Sequence, residues 1–138
     1  MKIEKSGFRL DVVLTHATRD PKTFSRDLAL EPEFSWMKGE KLGNQLMPST
    51  KWQACLSAGA GEEAYSEALE KALSFLEAHS AFFHGFSEEE GEAELVMNYA
   101  IEFDEGKVLQ VSYSPVFLSQ LVDLGVELRV QAWSGQAE

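Results

Sequence analysis

The sequence predicts an α+β domain: a mostly antiparallel sheet with about three helices packed on one face. Three observations carry the prediction. Several stretches alternate apolar and polar residues with the period of a strand. One long segment and two short ones repeat apolar residues at helical spacing. An Asp104-Glu105-Gly106 turn separates two of the alternating stretches closely enough to make them a hairpin. At 138 residues the chain suits one domain over residues 1–138, since two would each approach the lower limit of independent folding.

Phe8, Leu10, Val12 and Leu14 alternate with Arg9, Asp11, Val13 and Thr15, which reads as a first strand with one buried face. Asp20 before Pro21 starts a short helix: the aspartate accepts orphan amides, and proline suits the first helical turn. Phe24 and Leu28 share a face of that helix, which ends by Leu30 because the residue before Pro32 avoids helical dihedrals. Phe34 to Met37 reads as a strand and Lys38 to Ser49 as a loop holding Gly39, Gly43, Asn44 and Pro48. Trp52, Ala54 and Leu56 then mark a short strand that stops near Ser57.

Glu62 to about Ser80 is the clearest helix, with Ala68, Leu69, Ala72, Leu73 and Leu76 on one face and Glu67, Glu70, Lys71 and Glu77 on the other. Ser87 to Glu94, with five glutamates, reads as a solvated connection. Leu95, Met97, Tyr99, Ile101 and Phe103 form a long strand, and Leu109, Val111 and Tyr113 return as its hairpin partner. Ser114-Pro115 starts a third helix through Phe117, Leu118, Leu121 and Leu124, which Gly125 closes. Val126, Leu128, Val130 and Ala132 form the last strand, and Ser134 to Glu138 a polar tail. The order strand, polar residue plus proline, helix, strand occurs near both ends and suggests two related strand-helix-strand halves.

Composition narrows the function classes. Apolar residues make up 44% and charged residues 25%, which excludes wholesale disorder. With 23 acidic against 12 basic side chains the charge is -11, which repels phosphate backbones and anionic lipid, so neither nucleic acid nor membrane is expected as a partner. No apolar run approaches the ~20 residues of a membrane span, and Met1 to Arg9 alternates charge and apolarity, so a cytoplasmic protein is expected. The single cysteine, Cys55, cannot close an intramolecular disulfide.

Candidate chemistry is sparse. Cys55 with His16, His79 or His84 would make a thiolate and its base only if the fold brought them together, and a lone cysteine in a strand is ordinarily a small hydrophobe. The histidines lack the spacing of a zinc site, and the Glu88 to Glu94 run lacks that of a calcium loop, so no metal or cofactor is expected. Neither Gly39 to Gly43 nor Gly59 to Gly61 fits a phosphate-binding loop. The tryptophans point elsewhere. Trp52 shares the apolar side of its strand, whereas Trp133 lies opposite Val126, Leu128 and Val130, beside Arg129. If helices cover one sheet face, Trp133 and Arg129, with Val13 and Val96, mark the other as an interaction surface. Trp36 and Lys38, at the start of the long loop, complete the expected binding surface.

The landmarks form an ordered series: Asp20-Pro21 and a short helix, Leu30 with Pro32, Trp36 with Lys38 and Gly39, Trp52 with Leu56 and Ser57, and an ending of Leu118, Leu121, Leu124, Gly125, Glu127, Leu128 and Trp133. In this order and spacing the chain resembles the uncharacterised bacterial family catalogued as domain of unknown function 4279. The resemblance spans most of the chain, with no counterpart for Phe86 to Glu94. It implies a small soluble α+β domain of bacterial type and transfers no catalytic residue.

The expectation is a non-enzymatic acidic domain that binds a protein partner or a second copy of itself. One concrete form is an immunity-type inhibitor, whose negative field would steer it to a basic toxin. The alternative is a small hydrolase-like or small-molecule enzyme using buried carboxylates, or Cys55 with a histidine.

Overall fold

The computed structural model describes residues 7–101 and 111–134. In chain order the elements are β1 (Gly7–His16), α1 (Pro21–Leu28), β2 (Phe34–Trp36), β3 (Lys41–Leu42), β4 (Gln45–Leu46), β5 (Thr50–Ala60), α2 (Glu62–Ala78), α3 (Ser80–Glu88), β6 (Glu92–Ile101), α4 (Pro115–Leu124) and β7 (Val126–Ser134). Five strands make one sheet in the order β2-β5-β1-β6-β7, and β3 pairs with β4 alone. Within the five-stranded sheet all neighbours are antiparallel except β6 and β7, which are parallel.

The helices lie against one face: α1 and α2 on β5, α3 on β6, and α4 on β7 with contacts to α2 and α3. One core joins the layers. Leu10, Val12 and Leu14 of β1, Trp52 and Ala54 of β5 and Leu95 and Met97 of β6 meet Ala68, Ala72 and Leu76 of α2, Phe83 and Phe86 of α3, and Phe117, Leu121 and Leu124 of α4. The α+β reading holds, with four helices among the described residues rather than three. No helix of the described residues is long and apolar enough to cross a membrane.

The local signals act as their chemistry requires. The Asp20 carboxylate accepts from the Lys22 amide at 2.9 Å, and the Ser114 hydroxyl from the Phe117 amide at 3.1 Å, each just before a proline that opens a helix. Gly125 closes α4 in the left-handed region, at φ 68°. Both β1-α1-β2 and β6-α4-β7 join parallel strands across the helical face; in the first, β5 is inserted between them.

Several boundaries differ from the sequence reading. Strand β5 runs on to Ala60 instead of stopping near Ser57, because Leu56 is an extra residue opposite the Leu10-Asp11 step of β1. This bulge breaks the apolar alternation without ending the strand. Residues 38–49 contain the β3-β4 hairpin, turned at Gly43-Asn44 with Gly43 at φ 62°, rather than loop alone. Part of the acidic run is helical, since α3 reaches Glu88 and β6 begins at Glu92. The turn at Asp104–Gly106, Phe103, Leu109 and the last four residues lie outside the described residues. Val111 and Tyr113, expected on a returning strand, have no strand structure; they pack partly buried against the core, with the Tyr113 ring stacked on Phe117.

Candidate functional site

Every helix of the described residues packs on one side of the sheet, so none of them covers the other face, whose surface follows from the strand register. Side chains directly opposite each other in a sheet share a face. Starting from Arg9, Asp11, Val13 and Thr15 of β1, this face takes Lys51, Gln53 and Cys55 of β5 with Phe34 and Trp36 of β2. On the other side of β1 it takes Glu92, Glu94, Val96 and Asn98 of β6, then Glu127, Arg129, Gln131 and Trp133 of β7.

At the centre of this face lies a carboxylate shut off from water. Asp11 has no exposed surface. Its Oδ1 accepts from Arg9 Nε at 2.7 Å and its Oδ2 from Gln53 Nε2 at 3.0 Å. Arg9 pairs in addition with Glu33, at the margin of β2. A buried carboxylate is tolerated when its lone pairs are met by charge-assisted donors, and here two neighbouring strands supply them. In the strand register Gln53 and Glu94 flank Val13, and Asp11 and Arg129 flank Val96; both valines are buried although no helix of the described residues lies on this face. Toward β7, Arg129 Nη2 stands 3.1 Å from Glu94 Oε2, off the line of a directed hydrogen bond, and Trp133 Nε1 donates to Asn98 Oδ1 at 3.4 Å.

The four expected binding residues fall in different places. Arg129 and Trp133 lie on the uncovered face at the β7 edge, with Trp133 55% exposed. Trp36 lies on the same face at the opposite edge, stacked on Phe34 with ring centroids 5.3 Å apart. Strands β5, β1 and β6 separate it from Trp133, so the two tryptophans bracket the face and do not touch. Lys38 follows β2 in the connection to β3; its side chain is exposed and its amide donates to the Thr50 hydroxyl. The Arg9-Asp11-Gln53 centre is absent from the sequence reading. The one trace of it in the sequence is Val13, an apolar residue among the outward positions of the first strand.

The catalytic pairs considered from sequence are kept apart. Cys55 is on the uncovered face, across from Asp11, whereas the His16 ring packs on Phe86, His79 packs on Phe75 and His84 projects from α3, all on the helical side. Burial pushes the Cys55 thiol up; the Arg9 guanidinium pulls it down by less, and Asp11 adds to the rise, so the group is a thiol at neutral pH. His16 is committed to the backbone: its Nδ1 accepts from the Thr18 and Arg19 amides at 3.1 and 2.9 Å. Among the described residues no three His, Cys, Asp or Glu side chains gather where they could hold a metal ion.

The family described as Domain of unknown function (DUF4279) matches residues 8–135, nearly the whole chain. No curated protein and no solved structure matches it.

Proposed function

The chain belongs to the DUF4279 family, and we propose that within it this protein is a non-enzymatic binding domain that engages a protein partner through the uncovered face of its sheet. The observation that carries this reading is the exposed Trp133, held by its ring N–H to Asn98 beside the Arg129-Glu94 pair on a face that no helix of the described residues covers. A tryptophan fixed in this way offers a large contact area at little further entropic cost, which is the property of an interface anchor. At the centre of the face Asp11 has one oxygen engaged by Arg9 and the other by Gln53, which favours docking over chemistry there.

The partner is a basic protein, and the concrete form we propose is an immunity-type inhibitor of a basic toxin in a bacterial cytoplasm. The charge of -11 supports this by long-range steering. A single free cysteine fits a reducing compartment. The acid is unevenly spread: Glu62, Glu63, Glu67, Glu70 and Glu77 of α2 lie on the helical side, while the uncovered face sets Arg9, Lys51 and Arg129 among its carboxylates. The field therefore sets the approach, and the sheet face sets the fit.

Association of the chain with basic bacterial effector proteins, followed at low and high salt, tests the reading. Association rates that fall steeply with salt, together with Trp133→Ala weakening the complex by about tenfold or more, are expected. Salt-insensitive rates, or an unchanged affinity in the variant, contradict it.

A further inference from the structure

Strand β7 is the outermost strand on its side of the sheet, and among the described residues it is paired only with β6. An edge strand exposes a row of backbone amides and carbonyls to any other chain, so proteins ordinarily guard it with prolines, bulges, shortness or charges pointing toward the core. The opposite edge is guarded in this way: β2 is three residues long and follows Pro32. Strand β7 has nine residues and no proline, pairs with β6 without a register shift, and turns both its charges, Glu127 and Arg129, to the uncovered face.

The helix above this edge is unguarded as well. A connection between neighbouring parallel strands, such as β6-α4-β7, is right-handed as a strong rule. With Phe117, Leu121 and Leu124 facing the core, that hand puts Leu118 and Val122 on the flank of α4 toward the free edge. Leu118 is 42% exposed and Val122 79%, and Val130 of β7, on the same side of the sheet, is 47% exposed. Among the described residues an open ladder and an apolar flank thus coincide along one edge.

We propose that a second copy of this chain covers that edge, pairing β7 with β7 antiparallel about a two-fold axis through Leu128. An axis normal to the sheet is the two-fold that sets an edge strand against itself, and it keeps each residue on its own face. The register through Leu128 is self-complementary. Val126 meets the partner's Val130, and Glu127 meets the partner's Arg129, each twice. Moving the axis to Arg129 would set that charge against itself, and moving it to Val130 would set Glu127 against the partner's Trp133. Glu127 also has an electrostatic reason for the pairing. It sits beside Glu94 in the β6-β7 register, and among the described residues it has no basic partner, whereas Arg129 already serves Glu94. The result is a continuous ten-stranded sheet with both helical layers on one side, α4 facing α4, and both uncovered faces, Trp133 included, still open. The inference does not rest on the partner-binding reading, because assembly is measured with the chain alone.

Sedimentation equilibrium of the full chain tests it, with circular dichroism to confirm that each variant folds. The expected result is a concentration-dependent dimer, a dimer dissociation constant raised at least about tenfold by Glu127→Arg, and recovery in the Glu127→Arg, Arg129→Glu double variant, because the exchange preserves complementarity across the axis. Val130→Lys, which leaves the charges in place, weakens the dimer to a similar extent. A wild type that stays monomeric at concentrations on the order of 100 μM overturns the proposal, as does a dimer indifferent to Glu127→Arg and Val130→Lys.

Discussion

Asp11 shows how much a single residue's surroundings decide. The sequence places it among the outward members of an alternating strand, and it does face away from the helices, yet it is as buried as the leucines beside it. Alternation reports which face a side chain takes; it cannot report that Arg9 and Gln53 from the same and the next strand close over it. Replacing Asp11 with alanine leaves a largely buried guanidinium short of its partner, and chemical denaturation should show a loss of about 3 kcal/mol. The raised Cys55 thiol gives a second test at this scale. Alkylation by iodoacetamide at pH 8 should be slower in the folded protein than in the same chain in urea, because burial holds the thiol in its unreactive protonated form. Equal rates would show that the thiol is neither buried nor shifted.

Among the elements, those with a signal in their own residues were legible: α1 and α4 by their prolines and caps, α2 by its apolar face, β1 and β7 by alternation. Helix α3 was not, since Phe82, Phe83 and Phe86 around Gly85 are poor helix formers, and tertiary packing holds the segment: Phe83 and Phe86 are in the core. Its end also uses a contact that sequence cannot show. A Cβ on Gly91 would lie 2.5 Å from the Phe86 ring, so the chain leaves α3 at a residue with no side chain. Helix α1 ends less comfortably, with Ala29 in the left-handed region at φ 52°. Glycine is at ease there, and Ala29→Gly should raise stability by about 0.5–1 kcal/mol, read as a higher Tm. A lower Tm would mean that the turn is held in another conformation. The β3-β4 hairpin was visible in principle through Gly43-Asn44, but two-residue strands are too short for an alternating pattern to mark them.

At the scale of the whole molecule the sequence made the α+β class, one shared core and the tryptophan-bearing outer face legible. It left strand order and the composition of that face open, because both depend on which distant strands become neighbours. The fold also predicts its own alkaline limit. Tyr65, Tyr99 and Tyr113 converge where α2, β6 and the approach to α4 meet, with the Tyr99 and Tyr113 hydroxyls 3.4 Å apart. Burial pushes the Tyr113 phenol up to about 12 and that of Tyr99 further still. A phenol that ionises near pH 10 in the unfolded chain but later in the fold favours the folded state fully below pH 10, and that contribution is lost as pH rises toward 12. Unfolding free energy should therefore fall between pH 10 and 12, and more steeply than in a Tyr113→Phe variant. Binding of the chain to basic effector proteins with Trp133 and Arg129 replaced by alanine is the decisive test of the proposed docking face. Affinity reduced by about tenfold or more, with folding intact, is the predicted result; undiminished affinity in the double variant would place the binding surface elsewhere on the molecule.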